Sequence, residues 1–256
     1  MIVSDYPTGT FTPAPQRAPR ATLIAAQGRI ETLLFLRHGE QQLLSLIIPL
    51  GLLIGISQVS ILEDPDPLRQ GFPMMLAIAT TSSGFTGQAI SLAFDRRYGA
   101  LKRTGASGVP AWVIIVGKII AVAAMVLLQT LVLGITAAAL GWQVSAGGLL
   151  LGLITLVLGA ATFTAMGLLM GGTLSSELVL ALANLIWVLM VGLVGLVLYH
   201  SGFDGSSWWD LIPSVTLASG LTDAFGGAIP WVQWLILSVW LVVVSAATRT
   251  WFRFSG

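Results

Sequence analysis

Long uninterrupted runs of apolar residues alternate with short polar segments along this chain. Residues 43–62 are twenty positions without a charge. As a helix rising about 1.5 Å per residue, that run is long enough to cross about 30 Å of hydrocarbon. Five comparable runs follow it. The pattern predicts six transmembrane helices, over about 43–62, 71–94, 113–140, 149–170, 178–199 and 231–248.

Two segments outside these runs also have a recognisable pattern. Residues 1–20 carry four prolines among small polar residues, which predicts a disordered tail because such a segment buries too little to offset its ordering entropy. Residues 21–42 place apolar side chains at helical spacing, with Gln27, Glu31 and His38 on a polar side. This predicts an amphipathic helix along the membrane interface, with a plain juxtamembrane helix as the alternative.

The segment 200–230 is too polar, and too often interrupted by Gly and Pro, to cross a bilayer. It nevertheless contains Trp208 and Trp209, and tryptophan favours the headgroup layer. We therefore expect 213–225 to form one or two short re-entrant helices that dip into the outer leaflet before the last span.

The composition agrees with a membrane protein. Hydrophobic residues make up 55% of the 256 positions and charged residues only 9%, with a mean hydropathy of +0.90, whereas soluble domains carry about 25% charged residues. We therefore assign an all-α membrane protein, comprising the tail 1–20 and a six-helix transmembrane domain over 21–256.

The residue types exclude several kinds of chemistry. The chain has no cysteine, which rules out disulfides, thiolate metal sites and cysteine nucleophiles. The middle of each predicted span lacks an ionisable residue, which argues against proton coupling and intramembrane hydrolysis. Gly117-Lys118 is not a phosphate-binding loop, because Trp112 and Ile119 occupy two of its fixed positions. We expect no catalytic residue, no metal and no directly bound cofactor.

The cations are distributed unevenly between the two sides of these spans. With both termini inside, eleven of the twelve Lys and Arg residues fall on the cytoplasmic side and only Arg69 falls outside. The positive-inside rule therefore predicts cytoplasmic termini. We expect a multi-pass protein of the plasma membrane.

The densest group of cations lies in the loop 95–110, between the second and third spans. Four cations occur within ten residues, at Arg96, Arg97, Lys102 and Arg103. One hypothesis is that the loop only sets the orientation of the chain. The other is that it docks a cytoplasmic motor, whose movement the attached spans transmit.

The second span has an unusually polar middle. Hydroxyl and amide side chains at such positions allow membrane helices to pack closely and to hydrogen-bond across the contact. They are equally suited to lining a polar path for a substrate. The candidates for such a path are Thr80, Thr81, Ser83, Thr86 and Gln88.

The basic loop resembles the first cytoplasmic loop of ABC-2 type export permeases. The resemblance rests on Asp95-Arg96, Gly99 to Arg103, Pro110 with Trp112, and Gly117-Lys118. The sequence departs from the family pattern at Arg97, Ala100 and Gly108. Weaker similarities are the helix before the first span, Glu177 with Ala181 to Asn184, and the segment 208–225. The subfamily that it resembles most is the daunorubicin-resistance type of drug permease.

The resemblance implies the permease half of an ATP-driven exporter. Two permease chains, identical or different, would pair and bind cytoplasmic ATPase subunits that carry the ATP and magnesium. A hydrophobic or amphiphilic substrate such as a drug or lipid would pass between the chains, with Asn184 as a further candidate for its path. The docking residues would be Asp95, Arg96, Arg97, Gly99, Leu101, Lys102 and Arg103.

Two alternatives belong to other functional classes. The chain could be a membrane anchor or assembly protein that holds a cytoplasmic partner through the same loop without transport. It could also be a lipid transferase that uses Asp204, Asp210 or Asp223 at the outer face, although their spacing matches no acid pair or metal signature.

Overall fold

The computed structural model describes residues 18–58, 66–203 and 208–251, and these residues are almost entirely helical without a strand. The all-α class is therefore confirmed. The α-helices are α1 Arg20–Arg37, α2 Gly39–Gln42, α3 Ile48–Gln58, α4 Pro67–Thr81, α5 Gln88–Arg97, α6 Ala100–Ala106, α7 Ala111–Ala139, α8 Ala146–Thr173, α9 Ser176–Ser201, α10 Pro213–Phe225 and α11 Trp231–Trp251. Most of the predicted tail, and residues 59–62 of the predicted first span, lie outside the described residues.

Four helices in the described part of the chain are long and apolar enough to cross a membrane, namely α7, α8, α9 and α11. They lie at the predicted third to sixth spans. The first two spans are less regular. A π-helical segment, Leu43–Ile47, joins α2 to α3, and a second, Ser82–Gly87, joins α4 to α5. The run from α4 to α5 is thus one helical rod with a π-helical middle.

Helix boundaries follow from local chemistry. Asp66 caps α4 by accepting a hydrogen bond from the backbone N–H of Leu68 at 3.2 Å, with Pro67 at the first helical position. Ser145 caps α8 in the same way through the N–H of Gly148 at 3.0 Å. Gly99 has a φ of +66°, which ends α5 and allows the chain to turn sharply into α6.

Helix α8 is the centre of the packing because glycines line the faces that it presents to its neighbours. A Cβ at Gly152 would lie 2.1 Å from the ring of Phe225 in α10, and one at Gly159 would lie 2.4 Å from Leu217. Near the other end of α8, a Cβ at Gly167 would lie 2.6 Å from the carbonyl oxygen of Phe85. Small residues therefore let α10 and the α4–α5 rod approach the α8 backbone.

The segment before the last helix is more deeply buried than the sequence indicated. A short 3₁₀ turn, Trp208–Leu211, leads into α10, whose residues are almost all buried among α4, α8, α9 and α11. Two acids considered for a transferase site bond within the fold: Asp210 accepts from Ser219 Oγ at 2.8 Å, and Asp223 accepts from Gln233 Nε2 at 3.0 Å. Asp204 lies outside the described residues.

Helix α1 packs along α7, with Gly28 against Ile120 and Gly117 against Gln27. Its polar side faces the protein, because Gln27 and Glu31 are half-buried against the bundle. The apolar positions of the predicted stripe point outward instead, and Ile30, Leu33 and Leu34 are exposed. In this orientation Glu31 accepts from the buried ammonium of Lys118 at 3.0 Å.

Candidate functional site

The basic loop consists of an exposed short helix on an anchored base. Helix α6 has no buried residue, and both Lys102 and Arg103 are exposed on it. Arg103 Nη1 donates to the carbonyl oxygen of Tyr98 at 2.7 Å, which folds its side chain back over the turn. Gly99 and Leu101 are half-buried. The tip of the loop therefore presents cations without packing against the bundle.

The base of the loop is anchored first by Lys118 of α7. Its ammonium donates to Asp95 Oδ2 at 2.6 Å, to Glu31 Oε2 at 3.0 Å and to Ser91 Oγ at 3.0 Å. The side chain of Lys118 is only 1% exposed, so its ammonium lies inside the bundle and does not extend to water. A buried ammonium needs such partners, since leaving it unpaired in an apolar interior is costly. These contacts join α1, α5 and α7.

The second anchor is Arg96, which is 7% exposed. Its Nη1 donates to the carbonyl oxygens of Gly171 at 2.8 Å and Leu174 at 3.0 Å, at the C-terminus of α8. The last carbonyls of a helix lack intrahelical donors and carry partial negative charge, so a guanidinium is a suitable cap there. Arg96 thus fixes the end of α5 to the end of α8.

Arg97 extends to the first turn of α9. Its Nη1 lies 2.5 Å from Glu177 Oε1 and donates to Ser176 Oγ at 3.1 Å, with 48% of the side chain still exposed. Together with Lys102, Arg97 lines a cleft of about 470 Å³ between the loop and this turn. The docking candidates are therefore divided: Asp95 and Arg96 bond inside the chain, and Lys102, Arg103 and part of Arg97 face outward.

The helix α1, the helical rod, the protruding basic loop and the buried segment before the last helix lie within a stretch that matches a known family. The model of the ABC-2 type transporter family matches residues 22–225, from the start of α1 to the end of α10. The chain belongs to the ABC-2 type transporter family. The predicted resemblance is thereby confirmed. A search of curated proteins finds no match.

Membership in the ABC-2 family determines the general role. The family comprises membrane subunits of ATP-binding cassette transporters, which in general assemble as dimers with an ATPase partner. The chain is accordingly a transmembrane transport protein with several apolar helices.

A cavity of about 550 Å³ lies beside the base of the loop in this ABC-2 chain, between α1, α5 and α9. This is within the usual volume range of small-molecule sites. Its lining is largely apolar and also includes acidic and amide side chains. The lining residues are Glu31, Leu34, Phe35, His38, Gln41, Gly87, Ile90, Ser91, Phe94, Asp95, Tyr98, Leu180 and Asn184.

The structure separates the substrate-path candidates into two groups. Asn184 lines the cavity, and its Nδ2 donates to the carbonyl oxygen of Leu180 at 3.0 Å. The other five candidates do not line it and are at most 1% exposed inside the bundle: Thr80, Thr81, Ser83, Thr86 and Gln88. The sequence brought none of Glu31, His38 or Tyr98 forward as site residues, because these come together only through the packing of α1 on α5 and α7.

Proposed function

We propose that this chain is the permease subunit of an ATP-binding cassette exporter that moves a hydrophobic or amphiphilic substrate out of the cytoplasm. The energy comes from ATP and magnesium bound by a separate cytoplasmic ATPase. A second permease chain, identical or different, completes the transporter. In this proposal residues 21–256 form one permease domain that crosses the plasma membrane six times, and both termini are cytoplasmic.

The observation that supports this proposal best is the contrast between the tip and the base of the basic loop. Lys102 and Arg103 stand exposed on α6, where they suit an acidic or carbonyl-rich partner surface. The base is bonded to three other helices through Lys118 and Arg96. A loop that only set orientation would need its charges but not this rigid base. A force applied to α6 by an ATPase would instead move α1, α5, α7 and α8 together.

The cavity provides a place for the substrate in the same proposal. It lies at the end of the bundle that carries the basic loop, and α5 and α9 form two of its walls. These helices belong to the second and fifth spans. The family resemblance implies that the first, second and fifth spans line the seam between the two chains, along which the substrate would pass. The substrate would enter this cavity from the cytoplasmic side, next to the loop that the ATPase moves.

The test uses vesicles that contain the chain with the ATPase that co-purifies with it. We expect the double variant Lys102→Ala with Arg103→Ala to reduce ATP-dependent efflux by about tenfold or more, because charged contacts at an interface contribute several kcal/mol. The melting temperature of the double variant in detergent should equal that of the wild type, since both side chains are exposed. Arg249→Ala at the exposed end of α11 is the matched control and should leave efflux intact.

Two results would contradict the proposal. Undiminished efflux in the double variant would show that α6 does not dock the motor. An ATPase that binds α6 while no substrate moves would favour the anchor function instead.

A further inference from the structure

The cavity beside the loop combines an apolar wall with a charged end. Leu34, Phe35, Ile90, Phe94 and Leu180 supply apolar and aromatic surface. The rings of Phe94 and Tyr98 stack with centroids 5.8 Å apart. Aromatic faces attract organic cations as well as apolar groups.

The charged end carries an excess of negative charge. The carboxylates of Glu31 and Asp95 both line the cavity, and both bond to the single ammonium of Lys118. One ammonium balances one of two carboxylates, so the cluster has a net charge of −1. Lys118 lies behind the carboxylates and is not itself part of the lining.

The neighbouring cations are directed elsewhere. The guanidinium of Arg96 bonds to the end of α8, and that of Arg97 bonds to Glu177 beyond the cavity. Among the residues that the structure describes, no Lys or Arg lines this cavity. His38 and Tyr98 are the other titratable residues of its lining.

We propose that this cavity selects amphipathic organic cations, with the apolar part against Phe35, Phe94 and Leu180 and the positive charge next to Glu31 and Asp95. A cation there would meet the carboxylate that Lys118 leaves unbalanced, in a site where interactions are stronger than in water. The inference deepens the proposed function by naming a substrate class. Its test measures binding alone, so it stands or fails independently of ATP-driven export.

Tetraphenylphosphonium and tetraphenylborate are suitable probes because they have nearly the same shape and opposite charge. Binding of each is measured to the full chain in phosphatidylcholine nanodiscs, with empty nanodiscs subtracted. We expect the wild-type chain to bind the phosphonium at least about tenfold more tightly than the borate. Equal affinities for the two ions would overturn the proposal without any variant.

Glu31→Gln and Asp95→Asn then assign the preference to the two carboxylates. Each is expected to weaken phosphonium binding by about tenfold and to strengthen borate binding. The opposite directions separate a charge effect from misfolding, which would weaken both. Asp66→Asn is the matched control: it removes one carboxylate at the N-cap of α4 and keeps the cap, because Asn serves there equally well.

The outcomes of the variants are distinguishable. If a folded Asp95→Asn chain binds both probes as the wild type does, the carboxylates do not set selectivity and the proposal is wrong. If Asp66→Asn shifts the two affinities as strongly as Asp95→Asn, the preference comes from overall charge and the proposal is also wrong. If the preference disappears only in the cavity variants but the chain exports nothing, this inference stands and the proposed function fails.

Discussion

Two nearby stretches of this chain are polar in sequence, but they differ in how far the fold buries them. The stretch 80–88, in the middle of the α4–α5 rod, is completely buried. The stretch 95–106, which follows after residues 89–94, has a buried base and an exposed tip. Polarity therefore marks tight packing in the first stretch and contact with water or a partner in the second.

The difference follows from what each type of side chain requires. A hydroxyl can bond to its own helix: Thr80 Oγ1 donates to the carbonyl oxygen of Leu76 and Thr81 Oγ1 to that of Ala77, each at 2.8 Å. Thr80 and Thr81 are small and bond within their own helix, so another helix can approach closely. A guanidinium or an ammonium has too many donors to satisfy in this way. Arg96 and Lys118 need partners from other helices, and Lys102 stays outside.

The largest effect is expected where the buried stretch meets α8. Gly167→Ala would place a methyl group 2.6 Å from the carbonyl oxygen of Phe85 and 2.7 Å from that of Gly84. Both obstacles are backbone atoms of a packed helix, so overpacking should destabilise the chain by roughly 3 kcal/mol. A lowered melting temperature in detergent, with loss of the monodisperse species, is the measurement.

Gly195→Ala in α9 provides the control for the same change in a membrane helix. No atom of another helix lies within 4 Å of the position that the methyl group would occupy at Gly195, and alanine favours a helix over glycine. Its melting temperature should be equal to or slightly above that of the wild type. Equal losses in both variants would show that the glycines act through helix flexibility and not through the close approach of α8 to the rod.

An intermediate effect is expected when buried and exposed cations of the second stretch are compared. Arg96→Met removes the donor to Gly171 and Leu174 and should cost about 2 kcal/mol of stability, as for hydrogen bonds to charged groups. Lys102→Met removes an exposed charge and should change stability by less than about 0.5 kcal/mol. Thermal melting of the two variants measures the difference.

Efflux from vesicles makes this comparison sharper. The Lys102 variant should have a reduced efflux rate and a wild-type melting temperature. In the Arg96 variant both the efflux rate and the melting temperature should fall. If Arg96→Met melts like the wild type, the bonds to α8 contribute nothing to the fold. In that case the anchoring role assigned to Arg96 is wrong.

The sequence was sufficient for the parts of this fold that depend on composition and on runs of residues. Apolar length located α7, α8, α9 and α11, and the loop motif led to the correct family. The cluster around Lys118 was not predictable, because Glu31 is 87 positions away and its place at the inner face of α1 depends on tertiary packing.

The smallest effect on stability should come from removing a hydroxyl of the buried stretch. The same variant tests whether this stretch is a packing surface or lines the substrate path. Thr81→Val keeps the shape and removes a donor whose acceptor, the carbonyl of Ala77, also belongs to the helical ladder. Stability should therefore fall by no more than about 1 kcal/mol. Since Thr81 does not line the cavity, the affinity for tetraphenylphosphonium and the efflux rate should stay at wild-type values. Asn184→Leu, at a residue that does line it, should alter both. If Thr81→Val changed transport as much as Asn184→Leu, the substrate would have to pass through the rod itself, and the buried stretch would be a path and not a packing surface.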